Sequence, residues 1–320
     1  MRTFLGIDGG GTHTRAFVVD ESGSKTGWGE AGLTNPNHAS PAELQANLEK
    51  AIQTAFGKAG LVPANCTSAF AGMAGVTTEI GRMRIEDALR QCRLGHARIG
   101  VDHDIRIALA GGLAGRPGIA LIVGTGSSCY GRTADGRTWQ TGGWEALISD
   151  EGSAYDLGRE AIAAAARMAD GRTPDSPLRA RIFEWLGVHQ IAEILPRIHD
   201  EGLTRSEIAA FAPQVIALAE AGDQAALAIL DQGAFLLAEM VAANHRMLPT
   251  GKNPDVVITG GLGTAQTLYR SKIVDAIQAQ LPSAKIHHPR FAPAMGAAML
   301  AIEQVGLSIC PELIGRLMDA

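Results

Sequence analysis

The sequence lacks the cysteine patterns of metal-binding and disulfide-rich proteins. It has only four cysteines in 320 residues, Cys66, Cys92, Cys129 and Cys310, and no two of them form a Cys-x-x-Cys pair. This scatter argues against a zinc knuckle, an iron–sulfur cluster and a disulfide framework. Reduced thiols are typical of a cytoplasmic protein, and we expect that location.

Basic clusters and membrane signals are lacking as well. The net charge of -5 is spread over isolated residues, and no run of Lys and Arg interleaved with aromatic residues suggests a nucleic-acid surface. Met1 leads directly into a strand-like segment without a signal-peptide pattern, and no uninterrupted apolar run reaches the roughly 18 residues of a membrane span. We therefore expect a small hydrophilic partner, and neither nucleic acid nor a membrane.

What the sequence does have is a glycine-rich turn between two apolar segments near its start. Residues 4–20 read FLGIDGGGTHTRAFVVD, which predicts a β-hairpin with Gly9, Gly10 and Gly11 in its turn. The glycines leave backbone N–H groups uncovered and are free to adopt positive φ, and the hydroxyls of Thr12 and Thr14 lie beside them. This combination is typical of an anion cradle. The alternative is a tight hairpin whose glycines serve only the turn.

A second copy of this pattern begins 115 residues later. The apolar segment 119–123 enters a turn made of Gly124, Thr125, Gly126 and Ser127, and a strand-like segment leaves it. Two matching hairpins predict an internally duplicated α/β fold. The Gly- and Pro-rich stretch 111–118 is the expected hinge between two domains, and 46% apolar content is enough for two cores.

The segments between the turns predict further strands and helices. A helix is expected from Ser40, its N-cap in a capping box, to Gly57 or Gly60. After it we expect a strand at 68–71, an amphipathic helix that carries Ile80 and Met83, a strand at 97–101 and a helix at 105–110. The region 152–248 is almost wholly helical in pattern. A strand at 255–259, a helix through 269–277, a strand at 285–287 and a small-residue helix from Pro293 complete the chain.

The glycine turns favour a mononucleotide with its metal ion. A third turn, Gly260, Gly261 and Gly263, follows the strand at 255–259. No G-x-x-x-x-G-K-[ST] motif occurs, and Thr14 stands where a dinucleotide fingerprint needs its third glycine. We expect backbone N–H groups and the hydroxyls of the turns to hold phosphates, with Mg²⁺ neutralising most of their charge. Asp8, at the end of the first strand, is placed to order the waters of that metal, or alternatively to cap the turn.

A carboxylate after the strand at 97–101 is a candidate general base. Phosphoryl transfer to an alcohol needs little covalent help, so one aligned carboxylate suffices. Asp104 is our candidate, with Asp102 and His103 as competitors. The alternative role for Asp104 is to cap the helix that begins at Ile105.

The block from Gly142 to Ser153 combines a tryptophan between polar residues with two carboxylates. Gly143, Trp144 and Glu145 are followed by Asp150, just before a helix. A flat indole beside hydrogen-bonding carboxylates suits a pyranose ring, which has apolar faces and a rim of hydroxyls. The alternative is that Trp144 fills the core and Asp150 is an N-cap.

Together these motifs resemble the amino-sugar kinases of the BadF/BadG/BcrA/BcrD ATPase family, within the actin, Hsp70 and sugar-kinase superfamily. The shared segments are GIDGGGT at 6–12, the Asp104 turn, LIVGTGSS at 121–128, GGW at 142–144, DEGSAY at 150–155 and TGGLG at 259–263. The resemblance implies an actin-like fold made of two ribonuclease H-like domains, with the nucleotide in the cleft between them. We expect one domain at 1–114 plus the C-terminal helix at about 293–320, and a helix-rich second domain at 115–292.

The same resemblance implies ATP-dependent transfer of the γ-phosphate to the 6-hydroxyl of an amino sugar, with N-acetylglucosamine slightly preferred over glucosamine and a homodimer as the expected assembly. Asp104 would be the base, Thr12 and Thr125 would contact phosphate, and Trp144 and Asp150 would contact the sugar together with Asn35. Asn37 competes with Asn35 for that contact, and Gly143 and Glu145 flank it. Glu145 and Ser149, beside the expected sugar site, depart from the family pattern. The alternative function is that of an ATPase activator or regulatory family member without kinase activity.

Overall fold

The computed structural model of the chain describes residues 1–36, 39–76, 78–200 and 202–318, and it divides into two compact units. Unit 1 contains residues 1–118 together with those from Pro289 onward, and unit 2 contains Ile119–His288. Strands and helices are numbered below in chain order.

Unit 1 is built on a five-stranded sheet of order β3-β2-β1-β4-β5. Its strands are β1 Thr3–Gly9, β2 Thr14–Asp20, β3 Thr26–Ala31, β4 Ser68–Met73 and β5 Arg98–His103; its helices are α1 Pro41–Ala59, α2 Glu79–Gln91, α3 Asp104–Gly112, α12 Pro293–Glu303 and α13 Pro311–Met318, and a 3₁₀ turn spans Pro63–Asn65. The first three strands are antiparallel neighbours, whereas β1, β4 and β5 run parallel. The carboxyl ends of β1, β4 and β5 therefore meet at one edge of the sheet.

Helices cover both faces of this sheet. Leu48, Ile52 and Phe56 of α1 are fully buried with Ile85 and Leu89 of α2 on one face. The predicted cap is present, because the hydroxyl of Ser40 accepts the N–H of Glu43, and the helix ends at Gly60 in the left-handed conformation. The prediction for α2 was partly wrong: Ile80 and Met83 point outward and are 74% and 56% exposed.

The opposite face carries α3, α12 and α13, and the contact between α12 and the sheet is close. A Cβ on Gly6 of β1 would overlap the backbone of Ala294 and Ala298, and one on Gly296 would overlap the backbone of α3. Since no side chain intervenes, the small-residue helix predicted from Pro293 lies directly on the strand that leads to Asp8.

Unit 2 repeats the topology of unit 1. Its sheet has the order β10-β9-β6-β7-β8, which is the order of unit 1 when β6 is set against β1. The strands are β6 Gly118–Val123, β7 Ser127–Arg132, β8 Thr138–Gly142, β9 Asp255–Thr259 and β10 Lys285–His287. This agreement confirms the duplicated α/β fold predicted from the two glycine turns.

The helices of unit 2 form most of its core. They are α4 Ala154–Ala169, α5 Pro177–Leu186, α6 Ile194–His199, α7 Arg205–Ala210, α8 Ala212–Glu220, α9 Gln224–Met247, α10 Gly261–Thr264 and α11 Leu268–Gln280, with a 3₁₀ turn at Ile191–Glu193. Among the described residues, α9 alone has the length and apolar composition of a membrane-spanning helix, but 56% of that apolar stretch is buried in the core. A long core helix has the same properties, so this is weak evidence for a span.

Candidate functional site

Asp8 and Asp104 lie at the carboxyl ends of parallel strands in unit 1. Asp8 is next to Gly72 of β4, and Gly72 is next to Asp102 of β5, in one register row. The strand β5 runs two residues past the predicted end at 101, and α3 begins at Asp104 without an intervening turn. We expected a strand, an acidic turn and a helix in this order. The structure instead has the strand joined directly to the helix.

Burial and neighbouring charge shift the pKa values of both carboxylates. The pKa of Asp8 is raised to about 6, chiefly because burial disfavours its charged form and further because Asp104 adds negative charge nearby; Arg15 acts in the opposite direction. Burial also raises the pKa of Asp104, against the lowering effects of His103 and the backbone N–H groups of Ile105 and Asp104. Like charges in a partly buried site leave these groups ready to accept a cation or a proton.

The structure separates Asp104 from its competitors. Asp102 is occupied by an ion pair with Arg106 (2.5 Å) and accepts the N–H of His103 at 2.8 Å. His103 itself takes the N-cap position of α3 without a side-chain capping bond, so Asp104 is the first helical residue and not the cap. Asp104 is thus the acidic residue at this junction whose carboxylate is not tied to a side-chain cation among the described residues.

The first glycine turn differs from the prediction in its backbone conformation. None of Gly9, Gly10 and Gly11 has positive φ. Gly9 is needed for packing, because a Cβ there would overlap the side chains of Met73 and Thr34. A Cβ on Gly11 would meet nothing within 4 Å, so its backbone is open to a ligand.

The hydroxyls around this turn have different surroundings. Thr12 is exposed, as expected for a phosphate contact. Thr14 is fully buried, and its hydroxyl donates to the Gly32 carbonyl at 2.7 Å and lies 2.8 Å from the Thr34 hydroxyl. Its hydroxyl therefore holds the start of β2 to the loop that follows β3. Asn35 is 9% exposed with its N–H bonded to the Gly10 carbonyl, whereas Asn37 lies outside the described residues.

The second glycine turn, in unit 2, is fixed to the start of α4. The carbonyls of Gly124 and Thr125 accept the N–H groups of Ala154 and Tyr155. Ser127 is buried; its hydroxyl donates to the Glu151 carbonyl at 2.8 Å and its N–H to Asp150 at 3.1 Å. Thr125 is exposed, while a Cβ on Gly126 would lie 2.6 Å from Asp150.

The loop from Gly142 to Asp150 joins its two acidic residues to one arginine. Arg205, the first residue of α7, donates to Glu145 at 3.1 Å and forms an ion pair with Asp150. Asp150 is 3% exposed, and burial raises its pKa against the lowering effects of the Ser127 N–H and Arg205. The sequence offered no signal for Arg205, because it is 55 residues from Asp150 and follows no local motif.

Both alternatives for this loop are wrong. Trp144 is 56% exposed and does not fill the core, and the N-cap of α4 is Ser153 instead of Asp150. The loop has positive φ at Gly142 and Gly143 and also at Glu145 and Asp150, which is uncommon for residues other than glycine. Trp144 and the pair of carboxylates thus stand on a backbone held in a sparsely populated conformation.

The third glycine turn links β9 to α10. Gly260 has φ of 88°, and a Cβ there would lie 2.5 Å from the Val123 carbonyl, so only glycine fits. Gly261 has open space around its Cβ position, and Gly263 packs against Ile258.

Tyr269 is a further supporting residue that the sequence did not reveal in this role. It is fully buried on α11 and donates its hydroxyl to the Gly152 carbonyl at 2.6 Å. Together with Ser127 it fixes the segment that carries Asp150.

The donor groups fit a magnesium ion held largely through water. In the described parts of the chain, no group of three or more His, Cys, Asp and Glu residues could hold a metal ion by itself. Mg²⁺ in nucleotide sites is typically bound by one or two carboxylates, waters and substrate phosphates. The adjacent negative charges of Asp8 and Asp104 match that requirement, because a cation would relieve their repulsion.

The chain is similar to several known proteins over most of its length. Residues 5–301 match the model of the BadF/BadG/BcrA/BcrD ATPase family. An N-acetylmuramic acid/N-acetylglucosamine kinase from Clostridium acetobutylicum is 33% identical over 94% of this chain and 98% of its own length. A glucosamine kinase from Vibrio cholerae is 29% identical over 77% of this chain and 81% of its own. The crystal structure of a candidate N-acetylglucosamine kinase from Chromobacterium violaceum superposes with a TM-score of 0.76 at 27% identity, covering 94% of this chain and 99% of that protein.

Proposed function

The chain belongs to the BadF/BadG/BcrA/BcrD ATPase family, and from that premise we propose that it is an ATP-dependent amino-sugar kinase. It transfers the γ-phosphate of ATP to the 6-hydroxyl of the sugar, with N-acetylglucosamine slightly preferred over glucosamine. The proposal includes a homodimer and a cytoplasmic location. It is supported by the three kinases reported above, whose names each specify an amino sugar.

The single observation that carries the proposal is the pair formed by Asp8 and Asp104. Asp104 begins α3 at the sheet edge, where burial opposes its charge and His103 acts in the opposite direction. Such a carboxylate accepts the proton of the sugar hydroxyl as the oxygen attacks phosphorus. The transition state is loose, so Asp104 mainly orients the hydroxyl and takes its proton late.

The phosphates are held by the open backbone of the turns. In the proposal, the N–H groups at Gly11 and Thr12 bind phosphate from unit 1, and those at Thr125 do so from unit 2. Backbone N–H groups that point into one concavity bind anions without a charged side chain. Asp8 orders the waters of Mg²⁺, which when bound neutralises phosphate charge. Gly261 leaves room for the nucleoside.

The sugar is held by the loop of unit 2 and by the loop after β3. Trp144 presents an exposed indole on which an apolar sugar face stacks, and Asp150 accepts hydrogen bonds from the sugar hydroxyls. Asn35 contributes from unit 1. The raised pKa of Asp150 does not prevent this role, since both protonation states can hydrogen-bond a hydroxyl.

The test is sugar-dependent release of ADP. Glucosamine, N-acetylglucosamine, N-acetylmannosamine, N-acetylmuramic acid and glucose are each supplied with ATP and Mg²⁺, and the phosphorylated position is read by NMR. We expect turnover with an amino sugar and a product phosphorylated at the 6-hydroxyl. Turnover no higher than the background ATPase rate with all five sugars would contradict the proposal, and iron in the purified protein would favour the activator alternative.

Asp104→Asn is the decisive variant. Loss of the base should lower kcat by about 10²- to 10⁴-fold while the fold is kept. Asp102→Asn is its matched control, since it removes a neighbouring carboxylate that is already paired with Arg106. In the wild type, kcat/KM should fall as pH drops through the raised pKa values of Asp104 and Asp8, because both carboxylates act in their ionised form. If Asp104→Asn has the same kcat as the wild type and the same fall of kcat/KM at low pH, Asp104 is not the base.

A further inference from the structure

Arg205 links two acidic residues of the loop that carries Trp144. Its two terminal nitrogens contact different partners, Glu145 at 3.1 Å and Asp150 at ion-pair distance. The side chain of Asp150 is 4% exposed and that of Arg205 is 38% exposed, so one end of this bridge is buried and the other faces solvent. The buried end is shielded from salt much less than the exposed end.

The bridge changes the net charge that this loop presents. The negative charges of Glu145 and Glu151 raise the pKa of Asp150, and the positive charge of Arg205 lowers it. The hydroxyl of Ser149 bonds Glu151, which leaves its charge in place. Arg205 therefore cancels one negative charge in a group of three carboxylates.

We propose that Arg205 is a specificity-determining residue that lowers the preference of the sugar site for cationic substrates. Glucosamine carries a largely protonated amine at neutral pH, whereas N-acetylglucosamine is neutral at that position. Without Arg205, the carboxylates of the loop attract the ammonium group; with Arg205, that advantage is reduced and the acetylated sugar competes. The inference rests on the proposed function, because it assumes that the sugar binds beside Trp144.

The exposed location of Glu145 supports this electrostatic role. Its side chain is 67% exposed, so an ion pair there adds little to the stability of the fold. Glu145 nevertheless keeps positive φ and reaches Arg205 across 60 residues of sequence. The ion pair between Glu145 and Arg205 therefore affects the charge of the loop more than the stability of the fold.

The experiment compares kcat/KM for glucosamine with kcat/KM for N-acetylglucosamine in matched variants. Arg205→Met keeps the length of the side chain and removes its charge, and it should raise the ratio roughly five- to tenfold. Arg205→Lys keeps the charge and should restore the ratio to within about twofold of the wild type. Arg181→Met is the control, since it breaks an exposed ion pair with Glu184 in the same unit, and it should leave the ratio unchanged.

Two further measurements, the salt dependence of the ratio and a substitution at Glu145, distinguish an electrostatic role of Arg205 from a structural one. The effect of Arg205→Met on the ratio should shrink between about 0.02 M and about 0.5 M salt, because screening weakens interactions with exposed charges. Glu145→Gln removes a negative charge and should lower the ratio. This variant decides the question if Arg205→Met does not fold.

The possible failures are distinguishable. If Arg205→Met lowers kcat/KM equally for both sugars, with no change in the ratio at either salt concentration, Arg205 only supports the loop and the inference is overturned. An unchanged or higher ratio in Glu145→Gln overturns it too. If the wild type phosphorylates neither sugar, the proposed function fails instead.

Discussion

Replacing Asp8 with Asn should stabilise unit 1 even though it impairs catalysis. Burial and the charge of Asp104 raise the pKa of Asp8 from 3.8 to about 6. A shift of this size corresponds to about 3 kcal/mol of preference for the uncharged form in the folded protein. Asn has nearly the same shape as Asp and is uncharged at every pH, so the variant does not bear the cost of burying a charged carboxylate.

The sign of the effect depends on pH. Between pH 3.8 and about 6 the folded protein keeps the Asp8 proton that the unfolded chain releases, so this group makes wild-type unfolding free energy fall as pH rises. Asp8→Asn lacks that dependence. The variant and the wild type should have similar stability at pH 4, and the variant should be more stable by about 2 to 3 kcal/mol at pH 7.

Urea unfolding followed through Trp28 measures this difference in unit 1. Trp28 lies on β3 with its ring 4.8 Å from that of Phe17, so its emission reports the packing of this sheet. The other three tryptophans are changed to Phe in the background used for wild type and variant alike: Trp139, Trp144 and Trp185.

Asp102→Asn is the matched control, because Asp102 lies in the same register row but is paired with Arg106. Neutralising it removes an ion pair and should destabilise the sheet at pH 7. If Asp8→Asn changes stability equally at pH 4 and pH 7, or destabilises at pH 7, the assignment of Asp8 as a destabilising buried charge is wrong.

Two further predictions concern the glycine turns and Thr14. Thr14→Val should lower the unfolding free energy by about 1 to 3 kcal/mol, because the Gly32 carbonyl loses its hydrogen-bond donor. The KM for ATP should change little. A large rise in that KM would show instead that the Thr14 hydroxyl binds phosphate. Gly260→Ala should destabilise unit 2 through its positive φ and its contact with the Val123 carbonyl, whereas Gly261→Ala should leave the melting temperature unchanged and raise the KM for ATP. Equal thermal stability in the two Ala variants would contradict this distinction.

The sequence predicted the elements whose side chains repeat at short intervals. Apolar residues on either side of the glycine turns were enough to identify both hairpins, and the match between the turns predicted the duplicated topology. Asp104 was chosen as the candidate base from its place between a strand and a helix and from the family resemblance, and its catalytic role stays a prediction. These features depend on neighbours within a few residues, which a single sequence displays.

The elements that were missed depend on partners far along the chain. The strand β3 was not predicted: Gly27 and Gly29 lower its strand propensity, yet a Cβ at either position would overlap the backbone of α1. Arg205 likewise acquires its role from Glu145 and Asp150, which only the folded chain brings to it.

The position of α12 constrains how the protein is made. Unit 2 is one continuous segment, Ile119–His288, whereas unit 1 needs residues from both ends of the chain. Phe4, Phe17 and Phe70 lie in one buried cluster with Phe291 and the apolar residues of α12 and α13. The last strand of this sheet ends at His103 and α12 begins at Pro293, so during translation the sheet must wait for the synthesis of roughly 190 further residues, which takes roughly 10 to 40 s at about 5 to 20 residues per second. All residues of unit 2 are therefore synthesised before those of unit 1 are complete. Unit 2 can fold first, although synthesis of unit 1 begins first.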